Sequence, residues 1–322
     1  MQATDGAAAS SSPLVQAADR GGVVVAGEAL IDLLQQPDGQ LAPHLGGSPW
    51  NLARALGRLG CAVDYASPLS TDDFGEQLAA ALDHSQVRRT GGRSALPTSL
   101  AVVKVDRHGQ PAYAFYREGV ADRDLLPQRL LAQWPRHAEL LHVGSLALMP
   151  PDGRQWLAAL KALVAQGVST SIDVNMRPRA ARDPAAYAGL CRELLSQGRV
   201  VKVSDEDLLA LELLGEPLAR ARSLLNEVTQ VVVLTLGAQG AWGLTADAEH
   251  FQAPAAVPVV DTVGAGDCFY AGFLAHLLGQ GAWRTRARPA SAQVVQALAF
   301  GNRVTALNLQ RAGCQPPWRH EL

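Results

Sequence analysis

The chain has 322 residues, of which 48% are hydrophobic, and its formal net charge at pH 7 is -2. This length allows one large α/β domain or two smaller ones, and the near-neutral charge gives no reason to expect nucleic acid or an anionic membrane as a partner. The four cysteines, Cys61, Cys191, Cys268 and Cys314, form no CxxC pair. Neither a disulfide framework nor a metal-ligand spacing is therefore indicated, and we expect a reducing compartment such as the cytoplasm.

The N-terminal residues 1–20 are rich in Ala, Ser and Gly and lack a basic region followed by an apolar core. This composition predicts a disordered leader rather than a secretory signal. No apolar run reaches the roughly 18 residues that a transmembrane helix needs. Because neither a repeat nor a linker divides the rest, residues 21–318 are expected to form a single domain.

The first elements in chain order are a strand, a helix and a hairpin. "GVVVAG" (residues 22–27) predicts a buried strand, and "SPWNLARALGRLG" predicts a helix with Ser48 as N-cap and Pro49 at the first helical position. Further on, "TSLAVVKV" and "PAYAFYRE" flank "DRHGQ", which is typical of two strands joined by a turn. This hairpin is more polar than the other strands, so we expect it to stand off one edge of the domain.

Four short apolar runs follow, "LLHVGS", "VSTSIDVN", "RVVKVS" and "QVVVLTLG", and helical stretches such as "GRQWLAALKALVAQG" separate them. Alternating strands and helices predict a doubly wound α/β fold, with a mainly parallel sheet and helices on both faces. Ligands of such sheets bind beyond the carboxyl ends of the strands. A nicotinamide enzyme is disfavoured, because "VVVAGEALID" has one glycine at its turn and not the dinucleotide fingerprint.

The segment "DTVGAGDCFYAGFLAHLL" (residues 261–278) combines a glycine turn, an acid and an apolar helix that begins near Gly266. The first N–H groups of a helix lack internal partners and lie at its positive end, and Gly264 and Gly266 allow close approach, so the turn predicts an anion site suited to phosphate. Asp267 is placed to accept a proton from an alcohol that attacks phosphorus.

The longer string "DTVGAGDCFYAGF" closely resembles the second signature of the ribokinase-like (PfkB-type) carbohydrate kinases, and "HLGGSPWNLARALGRLG" resembles their first. The strings "GEALIDLL", "DVNMR", "KVSDEDL", "TLGAQG" and "QRAGCQPP" follow the order of that family, so the similarity spans roughly residues 22–317. The stretch from "PTSLAVVKV" to "REGVAD" is similar to the fructokinase branch. The resemblance implies a small β-sheet lid, inserted at about residues 37–47 and 97–121, that closes over the sugar.

The resemblance also implies roles for individual residues. Asp267 matches the catalytic base, and the backbone of Gly264, Ala265 and Gly266 matches the anion hole for the transferred phosphate. Arg177, at a strand end facing the cleft, is a candidate for neutralising phosphate charge. The positions that match sugar-binding residues, including two lid candidates, are Asp32, Gly46, Gly47, Asn51, Phe115 and Arg117.

The resemblance implies residues that bind the nucleotide in the same way. Asp207 matches a family Glu that helps to hold the hydration shell of Mg²⁺, but Asp is one methylene shorter. This leaves open whether Asp207 acts through water or Glu206 replaces it. The positions expected near ATP are Lys202, Ser204, Thr235, Gly237, Gly240 and Asn302.

A monovalent cation site is implied at Asp261 and the carbonyl group of Val263, below the anion hole, where an ion such as K⁺ would tune it electrostatically. The segment "NRVTALNLQRAGC" departs from the small residues expected there, so dependence on K⁺ stays open.

We therefore expect an enzyme that uses ATP and Mg²⁺ to phosphorylate a primary hydroxyl, with D-fructose as substrate and fructose 6-phosphate as product. The same chemistry on 2-keto-3-deoxygluconate or a riboside is the alternative within the family. A non-catalytic sugar or nucleotide sensor is the alternative from another class. The partners are expected to be small molecules, together with a second copy of the chain if the lid forms a homodimer.

Overall fold

The protein is represented by a computed structural model, which describes residues 22–36, 38–105, 111–285 and 287–322. The leader predicted for residues 1–20 and the turn predicted at "DRHGQ" (residues 106–110) lie outside this part of the chain.

The strands are β1 (Gly22–Ala26), β2 (Leu30–Gln35), β3 (Leu41–Gly46), β4 (Ala62–Tyr65), β5 (Leu69–Ser70), β6 (Arg88–Arg89), β7 (Arg93–Ser94), β8 (Ser99–Val105), β9 (Pro111–Tyr116), β10 (Ala138–Gly144), β11 (Ser169–Asp173), β12 (Val200–Ser204), β13 (Val231–Thr235), β14 (Ala241–Leu244) and β15 (Glu249–Gln252). The α-helices are α1 (Ser48–Arg58), α2 (Asp73–His84), α3 (Pro127–Ala132), α4 (Asp152–Ala165), α5 (Pro184–Leu195), α6 (Asp205–Ala210), α7 (Pro217–Arg222), α8 (Ala265–Gly279) and α9 (Ser291–Leu309).

The main sheet has nine strands in the order β15-β14-β13-β12-β11-β10-β1-β4-β6. Neighbours from β6 to β13 pair in parallel, whereas β14 and β15 are antiparallel. Along β1, Val23 and Val25 pack into one core with α1, α2, α8 and α9, while Val24 and Ala26 pack into a second core with α4 to α7. This alternation buries both faces of the sheet, as a parallel sheet requires, and it confirms the predicted fold.

A separate sheet of four strands, in the order β3-β2-β8-β9, occupies the region expected to form the lid. The prediction for this region was incomplete, because β2 lies at the centre of the small sheet and pairs with both β3 and β8. Residues paired directly across strands share a face. Asp32 pairs with His44 and with Ala101, and Ala101 pairs with Phe115, so these side chains lie on one face of the lid sheet.

Two helix starts matter for the site. Helix α8 begins at Ala265, after Gly264 in the left-handed conformation (φ 70°), close to the predicted start. Helix α1 begins at Ser48, and its N-cap is Gly47 (φ 111°). The prediction of Ser48 as N-cap was therefore wrong by one residue, since the Ser48 hydroxyl bonds outside its own helix. Within the described ranges, no helix combines the length and apolarity needed to span a bilayer.

Candidate active site

The carboxylate of Asp267 is held by two side chains from helix α1. Oδ1 accepts a hydrogen bond from the Ser48 hydroxyl at 2.6 Å, and Oδ2 accepts one from Asn51 Nδ2 at 2.9 Å. Asp267 lies in the first turn of α8, where the helix dipole favours a negative charge. The two helix starts therefore fix the orientation of this acid while leaving lone pairs on both oxygens for a further partner.

Burial raises the pKa of Asp267, whereas the hydrogen bonds from Ser48 and Asn51 and the charges of Lys202 and Arg177 lower it, with burial dominating. An acid with a raised pKa is a better proton acceptor than an ordinary surface aspartate. The arrangement can thus take a proton from a hydroxyl group placed beside it.

The turn before α8 presents backbone N–H groups. Among the residues described, the N–H groups of Gly264, Gly266 and Asp267 have no hydrogen-bond acceptor, whereas Ala265 donates to the carbonyl of Thr262 at 3.1 Å. A Cβ at Gly264 would lie 2.2 Å from the Sγ of Cys314, and its φ of 70° also favours glycine. The turn is therefore a concentrated set of unpaired donors beside Asp267, as an anion site requires.

Lys202 lies directly beside this turn. A Cβ at Gly266 would be 3.6 Å from Nζ of Lys202, and that ammonium group donates to Oδ2 of Asp173 at 2.8 Å, with both side chains buried. Burial lowers the pKa of Lys202, but the charges of Asp173, Asp207 and Asp267 outweigh it, so the pKa lies above its usual value. Lys202 therefore adds a fixed positive charge next to the unpaired amides.

Asp32 lies on the lid sheet, near enough to Asp267 and Arg177 for their charges to act on its carboxylate, and we call the space between these residues the cleft. A Cβ at Gly46 would lie 2.2 Å from Asp32 Oδ2, so glycine is required for this carboxylate to pack against β3. Burial raises the pKa of Asp32 to about 6, opposed by the charges of His44 and Arg177 and assisted by that of Asp267. Gly47 is equally constrained, since a Cβ there would lie 2.4 Å from the Glu28 carbonyl oxygen.

Arg177 lies between the lid and the main sheet. Its guanidinium carbon is 5.8 Å from the ring centre of Tyr113 in β9, and its Nη1 donates to the Asn175 carbonyl oxygen and Oδ1 and to the Met176 carbonyl oxygen. These acceptors are neutral, so the charge of Arg177 is available to an anionic ligand.

The two lid candidates have different surroundings. Phe115 stacks on Tyr113 with ring centres 5.7 Å apart and packs against the cluster of Leu30, Ala101 and Leu146, which places it on the inner face of the lid. Arg117 follows β9, has 11% of its side chain exposed, and donates to Asp122 Oδ2 at 2.5 Å and to the Leu146 carbonyl at 2.9 Å. The guanidinium of Arg117 is thus engaged in an ion pair with Asp122, and its bond to the Leu146 carbonyl group joins the end of β9 to the main domain.

Both carboxylate oxygens of Asp207 accept hydrogen bonds. Its Oδ1 accepts from the Met176 N–H at 2.7 Å, and its Oδ2 accepts from the N–H and hydroxyl of Ser204 at 2.8 Å, forming a capping box at the start of α6. Glu206 is exposed. Among the described residues, no group of three His, Cys, Asp or Glu is arranged to hold a metal. These surroundings fit contact of Asp207 with Mg²⁺ through water rather than direct ligation.

The other nucleotide candidates lie at the adjoining strand ends. Ser204 pairs with Thr235 across β12 and β13, and the turn after Thr235 contains Gly237 (φ 53°) and Gly240 (φ 106°). On α9, Asn302 donates to the Ala253 carbonyl at 3.0 Å and accepts from the N–H of residue 255 at 3.2 Å. Asn302 thus fixes the loop 253–255 that borders this end of the cleft.

The expected cation site is closed by hydrogen bonds. Asp261 Oδ1 accepts from the Val263 N–H at 3.0 Å and Oδ2 accepts from the Gly313 N–H at 2.8 Å. The Val263 carbonyl oxygen accepts from Asn308 Nδ2 at 3.0 Å. A cation at the Val263 carbonyl oxygen would lie beside the Asn308 amide hydrogens, which carry partial positive charge, so the surroundings of this oxygen do not suit a monovalent ion.

Sequence reasoning missed several residues of the site. Ser48 was assigned to a cap, although its place three residues before Asn51 puts both side chains in the first turn of α1. His44 alternates with Gly46 on one strand, which is a signal for a shared face. The pairing of Lys202 with Asp173 depends on which strands are neighbours, and a single sequence does not reveal that order.

Comparison with known proteins identifies the family of this chain. The model of the pfkB family carbohydrate kinases matches residues 21–321. A fructokinase of Rhizobium leguminosarum bv. trifolii is 38% identical over 261 residues, covering 79% of each chain. The crystal structure of fructokinase with bound ATP from Xylella fastidiosa has a TM-score of 0.82 at 29% identity, covering 91% of this chain and 93% of that one. A fructokinase double mutant from Vibrio cholerae O395, in a form with fructose, ADP and potassium ion bound, has a TM-score of 0.79 at 26% identity, covering 92% and 94%.

The family match covers both the glycine turn with its acid and the lid sheet that faces them. Enzymes of this family are sugar kinases, and a fixed acid beside unpaired amides suits the phosphoryl transfer that such enzymes catalyse. This chain therefore belongs to the pfkB family of carbohydrate kinases.

Proposed function

We propose that this sugar kinase is a fructokinase, which transfers the γ-phosphoryl group of ATP to the primary 6-hydroxyl of D-fructose. The hydroxyl oxygen attacks the γ-phosphorus in line, its proton passes to Asp267, and the bond from phosphorus to the β-phosphate oxygen breaks to release ADP. The observation on which this rests is the carboxylate of Asp267, fixed by Ser48 and Asn51 next to the unpaired amides that open α8.

The anion hole is the second part of the proposal. The N–H groups of Gly264, Gly266 and Asp267, with the ammonium group of Lys202, would stabilise negative charge on the transferred group. Preorganised donors of this kind contribute most in a site that excludes water. Mg²⁺ bound with ATP would neutralise phosphate charge, and we assign Asp207 to the hydration shell of that ion through the remaining lone pair of its Oδ1.

The sugar would lie between the lid and Asp267. Asp32 supplies an acceptor for sugar hydroxyls from the lid, and the Oδ1 of Asn51 is buried with no partner in the described part of the chain. A buried acceptor without a partner is costly unless a ligand satisfies it. The choice of D-fructose is supported by the relatives, since the Rhizobium protein at 38% identity is named a fructokinase.

A panel of sugars tests the substrate. Release of ADP would be measured with D-fructose, 2-keto-3-deoxygluconate and a riboside, and the product would be identified by ³¹P NMR. We expect the highest kcat/KM with D-fructose and a phosphate ester at its 6-position. A higher kcat/KM with one of the others would assign this site to that substrate, and a complete lack of sugar-dependent ADP release would favour the non-catalytic sensor.

We further propose that the enzyme works in the cytoplasm and pairs through its lid. Its four cysteines, all in the described part of the chain, form no disulfide bond, which suits a reducing compartment. On the lid sheet, Leu41 is 44% exposed and Tyr116 is 62% exposed, which leaves apolar area for a second copy. Sedimentation analysis of the wild type and of Tyr116→Ser should show a dimer that the substitution weakens, and a monomeric wild type would reject this pairing.

A further inference from the structure

The side-chain amide of Asn308 joins two segments beneath the anion hole. Asn308 lies in the last turn of α9 and is 0% exposed. Its Nδ2 donates to the Val263 carbonyl oxygen at 3.0 Å, and its Oδ1 accepts from the Gln315 N–H at 2.8 Å. Asp261 connects the same two segments through the N–H groups of Val263 and Gly313. The turn and the C-terminal segment are therefore locked together by a closed network.

This network acts on an amide of the anion hole. Val263 immediately precedes Gly264, and the peptide bond between them is planar, with its carbonyl oxygen and its N–H pointing in opposite directions. Asn308 holds the Val263 oxygen toward α9. Because the Gly264 N–H of the same peptide bond points the opposite way, Asn308 also directs this N–H toward the cleft. The Gly264 backbone cannot relax freely, since it packs against the Sγ of Cys314.

We propose that Asn308 is a positioning residue for phosphoryl transfer, and that its amide occupies the place where a monovalent cation was expected, so this enzyme needs no K⁺. A bound cation would hold the Val263 carbonyl by charge, whereas Asn308 holds it by a buried hydrogen bond. The inference rests on the proposed function, because it assigns the Gly264 N–H to the transferred phosphate.

A purely structural role for Asn308 would lower stability without changing the response to cations. Two variants separate these roles. Asn308→Asp replaces the donating amide by a carboxylate beside the Val263 carbonyl oxygen, and Val263 also contacts Asp261, so the substitution supplies the kind of oxygen ligands that a cation needs. Asn308→Ala removes the donor, and an ammonium ion can supply N–H groups in its place. Gln310→Ala is the matched control, since its exposed amide donates to the Ala306 carbonyl one turn back on the same helix.

Turnover would be measured at constant ionic strength with K⁺, NH₄⁺ or tetramethylammonium. We expect the wild type and Gln310→Ala to vary by less than about twofold among these ions. Asn308→Asp should lose about tenfold in kcat in tetramethylammonium and regain it in K⁺, with the KM for sugar nearly constant, as for a group that acts mainly in the transition state. Asn308→Ala should regain turnover in NH₄⁺.

Several results would overturn the proposal. One is a wild type that K⁺ activates severalfold, and another is an Asn308→Asp enzyme that is as active as the wild type without K⁺. Binding of the cation alone is measured by ²⁰⁵Tl⁺ NMR, with K⁺ as competitor, and should be found in Asn308→Asp but not in the wild type.

These measurements also separate the two proposals. If no sugar is phosphorylated, the proposed function fails, while Tl⁺ binding still decides whether the amide excludes a cation. If Asn308→Asp does not fold, the response of the wild type to K⁺ and Tl⁺ decides the question.

Discussion

At the scale of single residues, the site depends on how Ser48 and Asn51 hold Asp267. The two hydrogen bonds stabilise the carboxylate against a burial that raises its pKa. A hydrogen bond to a charged group is worth enough to move a pKa by about one unit. We therefore predict that Ser48→Ala raises the pKa of Asp267 and moves the acid limb of the profile of kcat/KM against pH upward by about one unit. Ser223→Ala, which removes an exposed hydroxyl just after the end of α7, serves as control, and an unshifted acid limb in Ser48→Ala would contradict the assignment.

Asp32 leads to a second prediction at this scale. Its pKa is raised to about 6, so the carboxylate is mostly ionised above that pH and becomes protonated as the pH falls through it. The ionised form accepts hydroxyl hydrogen bonds that the protonated form accepts less well. The KM for sugar should therefore increase below about pH 6, by up to about tenfold per pH unit.

The same measurement with Asp32→Asn provides the comparison. This variant should have a high KM for sugar that no longer changes between pH 5 and pH 7. The KM for ATP is the internal reference, and it should change with pH equally in both enzymes. A wild-type KM for sugar that stays constant through pH 6 would remove Asp32 from sugar binding.

At the scale of elements, the contact between α8 and α9 sets the position of the proposed anion hole. A Cβ at Gly272 would lie 2.8 Å from the Cα of Gly301, so the two helices pack backbone to backbone. We predict that Gly272→Ala forces them apart, costs about 1–3 kcal/mol in the free energy of unfolding, and lowers kcat because α8 begins with the anion site. Urea unfolding and steady-state kinetics measure both effects.

Gly279→Ala is the matched control on the same helix. Nothing lies within 4 Å of a Cβ at Gly279, the last residue of α8. An alanine there should leave kcat unchanged and be neutral to slightly stabilising. Equal losses of stability in the two variants would mean that the close contact at Gly272 is unimportant.

The elements also show how much of the fold could be predicted from the sequence. The strands from β10 to β13 were predictable because each is a short apolar run between helical stretches, and the start of α8 followed from its glycines and acid. The central place of β2 in the lid was not predictable, since its residues alternate like those of any strand and its partners lie far apart in the chain. In the same way, the hydrogen bond from Ser48 to Asp267 joins residues 219 positions apart.

At the scale of the whole molecule, the cleft lies between two sheets. Asp32 and Phe115 face it from the lid, and Asp267 and Lys202 face it from the main domain. A sugar bound between them would hold the lid against the domain and exclude water. We predict that D-fructose slows backbone hydrogen exchange in β8 and in residues 113–116, whereas exchange in β11, at the centre of the main sheet, stays unchanged. Unaltered exchange in both lid strands would contradict closure by the sugar.

The central claim is that Asp267 receives the proton of the attacking hydroxyl beside the amides of the glycine turn. Replacing Asp267 by Asn tests it most directly, because the amide preserves size and helix geometry but accepts a proton poorly. Calorimetry should show that the variant binds sugar and ATP with affinities close to those of the wild type, while its kcat falls by about 10²- to 10⁴-fold. A kcat within a few-fold of the wild type would contradict the claim.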